Sequence, residues 1–211
     1  MSRPLHKRYR KEEPIVEVKK ESCIKNLRPV EALYLLNKDK KEKMTVQNSL
    51  VAVLAYLIIN DYIAIKGTQF TVWDKHWKDL RSYERQCMGK IVDHQQNYLL
   101  DVIYQFKFRA IMDKLGYVNI KSVGMIVPKF KVIPTTKFYT AIEELVLLKQ
   151  TIATLDGLSK LDANMTAMSY AFPSIILRDK ESKFAKKLIQ LEKVGIVKSA
   201  AMGADLGYST V

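Results

Sequence analysis

The stretch from Met44 to Trp73, MTVQNSLVAVLAYLIINDYIAIKGTQFTVW, limits what this chain can fold into more than any other. Thr45 stands where an N-cap is expected, its hydroxyl able to accept a backbone N–H of the first turn. Leu50, Val51, Val53, Leu54, Leu57 and Ile58 follow at three- and four-residue spacing, which predicts a helix with a buried face. Asn60-Asp61 stops it. Tyr62, Ile63 and Ile65, then Lys66-Gly67-Thr68, then Phe70, Val72 and Trp73 read as two short strands about a turn at the glycine. A helix this apolar, tied to a hairpin, has to be covered by the rest of the chain. The expected fold class is mainly α with two β-hairpins (α+β): a compact helical domain carrying an extended basic N-terminal arm.

The chain has 211 residues, enough for a sizeable core in one large or two small domains. Its 35 Lys and Arg against 22 Asp and Glu give a formal charge of +13. That surplus does not set the fold, but it biases partners toward polyanions: nucleic acid, an anionic membrane surface or acidic protein. Two cysteines, Cys23 and Cys87, make no disulfide framework, so a reduced, cytoplasmic compartment is expected. The N-terminus is charged and shows no secretory signal. The longest apolar run, Leu50 to Ile59, is about half of the roughly 20 residues that cross a bilayer, so no transmembrane segment is expected.

In chain order, residues 1–28 carry nine Lys and Arg against four acids, and the first eleven hold five bases and no acid. Pro4 and Pro14 prevent a continuous helix there, and the composition is that of an extended basic arm. A helical domain is expected over 29–198, with hairpins near 62–73 and 117–133, and a loose tail over 199–211. Pro29 opens a short helix through Leu36. Residues 74–98 alternate charge with scattered apolar positions and predict an exposed linker helix or two. Tyr98 to Leu115 predicts one amphipathic helix, ended by Gly116. The second hairpin runs from Tyr117 through a turn near Gly124 to Ile133, with Pro128 restricting its strand to a sheet edge. Further helices are expected from Phe138 to Leu155, from Leu161 with Met165, Met168 and Phe172 on its face, and over 178–194. No internal repeat is expected.

Three stretches, VEALYLLNKDKKEK, SLVAVLAYLIINDYIAI and LGYVNIKSVGMIVPKFKVIP, resemble in pattern and order the Golgi phosphoprotein 3-like (GPP34) family, over about residues 29–195. The resemblance implies a peripheral membrane adaptor that binds a phosphoinositide on Golgi membranes and tethers glycosyltransferases to coat protein. The family's head-group pocket uses a tryptophan and an arginine near the central helix, and arginines on the helix before the second hairpin. Here Leu50 stands at the first arginine's position, and no tryptophan lies between Pro29 and Phe70. Lys107 and Arg109 are the candidate cations on the later helix. A likeness of this kind carries the fold further than the activity.

Catalytic and metal-binding patterns are not found. Cys23, Cys87, His6, His76 and His94 form no C-x-x-C or H-x-x-x-H pair. On one helix Cys87 and His94 would share a face about 10 Å apart, too far for nucleophile and base. The eight glycines are dispersed and make no phosphate-cradling loop. Asp113 and Glu143-Glu144 read as solvated helix faces. The expectation is a protein that is not an enzyme and uses no cofactor or metal.

What remains is electrostatic. Arg3, Lys7, Arg8, Arg10 and Lys11 surround Tyr9, an aromatic able to stack on a base, and Lys19 and Lys20 continue the arm. Lys121, Lys129 and Lys131 place three charges on the second hairpin, with Phe130 between the last two. Lysines there also keep an edge strand from aggregating. The leading expectation is an RNA-binding factor on a large ribonucleoprotein, contacting ribosomal RNA and ribosomal proteins. It resembles, at the level of class, the small basic dormancy factors of microsporidian ribosomes, which block functional sites. The alternative is the membrane adaptor, docking on an anionic membrane surface. A winged-helix-like DNA binder built on residues 44–73 is disfavoured, because its recognition helix would be apolar nearly all round.

Overall fold

The computed structural model describes residues 22–66, 69–73, 77–123, 129–154 and 162–174. Within them the chain runs α1 (Pro29–Lys38), α2 (Val46–Ile59), β1 (Ile63–Lys66), β2 (Gln69–Val72), α3 (Ser82–Val92), α4 (Leu99–Gln105), α5 (Phe108–Lys114), β3 (Val118–Val123), β4 (Lys129–Pro134), α6 (Thr136–Thr154) and α7 (Ala163–Met168). Each consecutive strand pair forms its own two-stranded antiparallel sheet. The fold is therefore mainly α with two β-hairpins. The expected helix over 178–194, the tail and residues 1–21 of the arm lie outside the described residues. Among those described, no helix is long and apolar enough to cross a membrane.

The central helix forms as its spacing predicts. The Thr45 hydroxyl accepts the Asn48 N–H at 3.1 Å, and Leu50, Val53, Leu54, Leu57 and Ile58 are all buried. They build a first core with Tyr83, Met88, Leu99 and Ile103. A second core gathers Leu33, Leu36, Tyr117, Phe138, Leu145 and Phe172. Helix α1 lies between the two, sending Val30 into the first and its leucines into the second. Each fully buried leucine contributes about 1.5–3 kcal/mol.

Several expectations are corrected. The described part of 74–98, residues 77–98, is not an exposed linker: Leu80, Tyr83, Cys87, Met88 and Ile91 are buried, a stripe at helical spacing interleaved with charges. Residues 98–115 are not one helix, because the backbone turns extended at Phe106. The rings of Phe106 and Phe108 both pack on Tyr83, at 5.0 and 5.4 Å between centroids. Side chains two apart point about 200° away from each other on a continuous helix, so bringing both to one ring requires the break. Of the face expected on the helix after Leu161, Phe172 is buried and Met168 packs on the second core. Met165, however, is 40% exposed, and Thr166 and Ala167 take buried positions in its stead. Residues 22–28 belong to the fold rather than to the arm, since Leu27 is buried and Cys23 and Ile24 pack on the second core.

The fold also contains a repeat. Leu27-Arg28-Pro29-Val30-Glu31 opens α1, and Leu80-Arg81-Ser82-Tyr83-Glu84 opens α3. Both helices end alike: Lys41 and Gln95 N–H donate back to the carbonyls of Leu36 and Lys90, at 2.8 and 2.7 Å. Helices α2 and α5 then each lead through a left-handed residue into Tyr-Ile-Ala-Ile-Lys (62–66) and Tyr-Val-Asn-Ile-Lys (117–121). The Tyr62 and Tyr117 N–H groups bond the carbonyls of Leu57 and Met112, at 2.8 and 2.9 Å. The Tyr62 and Tyr117 carbonyls close the two hairpins by accepting Trp73 and Thr135 N–H, both at 3.0 Å. Among the described residues the left-handed positions are Lys40, Asp61, His94 and Gly116, two matched pairs. The expectation of no repeat fails because the two copies share little beyond Leu-Arg-x-x-Glu and Tyr-Ile/Val-x-Ile-Lys.

Candidate functional site

The second hairpin carries the described residues that the sequence singled out as candidate contacts. Its register pairs Val118 with Pro134, Ile120 with Val132, Lys121 with Lys131, Ser122 with Phe130, and Val123 with Lys129. The base of the hairpin is anchored. Val118 is buried, the Ile120 N–H donates to Asp113 Oδ1 at 3.0 Å, and the Thr135 hydroxyl bonds the carbonyls of Gly116 and Tyr117. Lys137 Nζ donates to the Leu115 carbonyl at 2.9 Å and sits 4.4 Å from the centre of the Tyr117 ring. The far end leaves the body: Val123 is 53% and Phe130 58% exposed.

Lys121 and Lys131, both exposed, are direct cross-strand partners. Their Cβ atoms lie about 5 Å apart on the same face, an arrangement that costs a few tenths to about 1 kcal/mol for like charges. A bound anion relieves that repulsion. On the opposite face, the Arg109 guanidinium lies 5.9 Å from the centre of the Phe130 ring, so one ring face meets a cation. The backbone places Lys129 opposite Val123. Of the sequence-predicted residues, Lys121, Lys129, Phe130 and Lys131 are thus brought together on one hairpin. Arg3, Lys7, Arg8, Tyr9, Arg10, Lys11, Lys19 and Lys20 lie outside the described residues. Arg109 is the addition that spacing alone did not assign to the hairpin.

A second charged constellation joins the two copies of the repeat. Glu31 and Glu84 each turn one oxygen back on the start of their own helix, accepting the N–H of Arg28 at 2.9 Å and of Arg81 at 2.6 Å. The other oxygen faces the arginine of the other copy. Arg81 Nε donates to Glu31 Oε1 at 2.9 Å, while Arg28 Nε lies 3.4 Å from Glu84 Oε1. The remaining nitrogens cross in the same manner, Arg28 Nη2 to the Asp79 carbonyl and Arg81 Nη2 to the Asn26 carbonyl. The exchange is reciprocal but unequal. The Tyr83 hydroxyl donates to Glu31 Oε1 at 3.1 Å, whereas α1 has Val30 at the place of Tyr83. Arg28 Nε and Glu84 Oε1 remain buried without a hydrogen bond, and the Arg28 guanidinium rests 4.1 Å from the centre of the Tyr56 ring. Burial raises the Glu84 carboxyl to about 7, against the pull of Arg28.

No arrangement for covalent chemistry is assembled from the described residues. Cys87 is fully buried, and burial, with Glu84 nearby, pushes its thiol up to about 12, far from a thiolate. His94 is exposed at the end of α3. No group of three His, Cys, Asp or Glu among the described residues could hold a metal ion. Leu50 is buried in the first core, so that position offers a phosphate nothing. Glu144, expected to be solvated, instead accepts three hydrogen bonds from residues 22–24, and buried Glu42 binds Lys149 Nζ and the Ser174 hydroxyl. No family model, no curated protein and no solved structure matches this chain.

Proposed function

We propose that the protein is a non-enzymatic peripheral adaptor that docks on an anionic membrane surface through its second hairpin. The observation that carries this reading is the exposed Lys121–Lys131 pair on a hairpin whose connecting sequence is apolar. Residues 123–128 read Val-Gly-Met-Ile-Val-Pro, without a charge, and connect the strand that carries Lys121 to the one that carries Lys129 and Lys131. Apolar groups enter the headgroup boundary while cations stay with the anionic headgroups, so this order along a hairpin suits a membrane surface. A folded RNA offers phosphates but no acyl layer for such an apolar sequence. The basic arm, with Arg3, Lys7, Arg8, Arg10 and Lys11, adds long-range attraction to the same surface.

The test is flotation of the full chain with vesicles of phosphatidylcholine alone, with added phosphatidylserine, and with an added phosphoinositide. Flotation is expected with either anionic lipid and not with phosphatidylcholine alone. Each lysine near such a surface contributes about 1 kcal/mol, so replacing Lys121 and Lys131 together by alanine should lower partitioning about thirtyfold. Absence of flotation on both anionic compositions at low salt would sink the reading.

The arm itself favours a second reading, an RNA-binding factor carried on ribosomes, because its bases surround an aromatic, Tyr9, able to stack. That reading requires salt-sensitive binding to RNA, with log K falling by about 0.7 per phosphate neutralised on single-stranded sites. Removal of residues 1–21 should abolish it, while leaving vesicle binding by the hairpin in place.

A further inference from the structure

One carboxylate holds the start of the fold. Glu144 on α6 accepts the Ser22 hydroxyl at 2.7 Å, the Cys23 N–H at 3.1 Å and the Ile24 N–H at 3.3 Å. From the other side, the Tyr117 hydroxyl donates to the Cys23 carbonyl. Ser22 is exposed, and in sequence it directly follows Lys19-Lys20-Glu21. A hydroxyl with cations two and three positions upstream suits a protein kinase whose acidic substrate groove pairs with bases there.

We propose that Ser22 is a phosphorylation site for a kinase of this basic-directed class, and that its phosphate unlatches residues 22–24 from α6. In the transfer, Ser22 Oγ attacks the γ-phosphorus of ATP. The Oγ–P bond forms, the bond from phosphorus to the bridging oxygen breaks, ADP leaves, and the hydroxyl proton passes to the kinase's carboxylate base. Phosphoserine carries a charge of about −1.5 to −2. The Ser22 oxygen lies at hydrogen-bond distance from the Glu144 carboxylate, so the two anions repel where a hydroxyl and a carboxylate attract. The N–H groups of Cys23 and Ile24 then have a phosphate on their own segment to bind. The turn keeps an anion and loses its tether to α6. The same charge lowers the attraction of the basic arm for any polyanion, so the proposal holds whichever surface the arm meets.

A kinase needs Ser22 free of Glu144, so the latch should also set the rate of its own modification. The experiment incubates the full chain with ATP and the catalytic subunit of a cyclic-nucleotide-dependent kinase, mapping phosphate by mass spectrometry. Ser22 should be labelled, and Glu144→Gln should speed its labelling about tenfold, the worth of one charge-assisted hydrogen bond, with labelling elsewhere unchanged. The phosphorylated chain should be cut by trypsin after Lys25 faster than the unmodified chain. Tyr117→Phe, which frees the Cys23 carbonyl, is the second variant should Glu144→Gln fold poorly. Two results would overturn the proposal: no phosphate on Ser22 while other sites are labelled, or labelling of Glu144→Gln and Tyr117→Phe at the wild-type rate with trypsin cleavage unchanged by phosphorylation.

Discussion

The two copies of the helix-and-hairpin unit use the same residues for the same task and finish it differently. Glu31 receives its own helix start, the Arg81 side chain and the Tyr83 hydroxyl. Glu84 receives its own helix start and an arginine at 3.4 Å, with one buried oxygen left over. Tyr83 gives Glu31 a donor that Val30 cannot give Glu84. Arg81 Nε also donates to Glu31 Oε1 at 2.9 Å, where Arg28 Nε and Glu84 Oε1, 3.4 Å apart, make no hydrogen bond. The lesson is that a buried charge is set by the count of its donors more than by the presence of its counterion. The hairpins diverge likewise. Lys66 pairs with Gln69 in the first, whereas the matching Lys121 pairs with Lys131 in the second, so like charges face each other in one copy alone.

The sharpest way to break the comparison is to neutralise each carboxylate in turn. Glu31→Gln leaves Arg81 without its charge partner and should cost about 3 kcal/mol in urea unfolding. Glu84→Gln should behave otherwise. The folded-state value of Glu84, about 7, lies above the ordinary carboxyl value of 4.5, so the fold favours the protonated form. The stability it contributes is fully present below the ordinary value and is lost as pH rises through the folded one. Wild type should therefore lose about 2–3 kcal/mol relative to Glu84→Gln between about pH 5 and about pH 8. If Glu31→Gln and Glu84→Gln gave the same cost and the same pH profile, the two pairs would be equivalent after all.

Tyr83→Phe tests the residue that makes the difference. Its ring packs against Phe106 and Phe108 and stays in place, so the change removes a hydroxyl and little else. Glu31 would keep two of its three kinds of donor, and the cost should be about 1–2 kcal/mol by chemical denaturation. A neutral result would mean that the hydroxyl is not what completes the first pair.

The sequence disclosed the parts of each copy that rest on local pattern. Helix α2, its Thr45 cap and both hairpins follow from spacing within a dozen residues, and the hairpin lysines could be named because they alternate with apolar positions. What stayed hidden depends on partners far along the chain. Tyr83, Cys87 and Met88 look like part of a charged linker until α2 is there to cover them. The break at Phe106 exists for the sake of Tyr83. Glu144 looks solvated because its three donors lie some 120 residues earlier. The repeat was visible in principle: Leu-Arg-x-x-Glu followed by Tyr-Ile/Val-x-Ile-Lys occurs twice in the same order. Divergence elsewhere, including the split of one long helix into α4 and α5, hid it.

The smallest effect sharpens the match between copies at the helix ends. Gly116 has φ 78° and its counterpart Asp61 has φ 58°, so the fold already carries a side chain at this place in the first copy. A Cβ built at Gly116 would meet nothing within 4 Å. Gly116→Ala therefore costs only the left-handed backbone, about 1 kcal/mol, and should leave the second hairpin and its lysines in place. His94→Gly, at φ 56° on the exposed end of α3, should return a similar amount by the same physics run backwards. Thermal unfolding of the two single variants and of the double variant decides the matter. Opposite shifts that cancel in the double variant fit two independent helix ends of one design. A Gly116→Ala cost well above 2 kcal/mol would mean that the second copy holds its hairpin by contacts the first copy lacks.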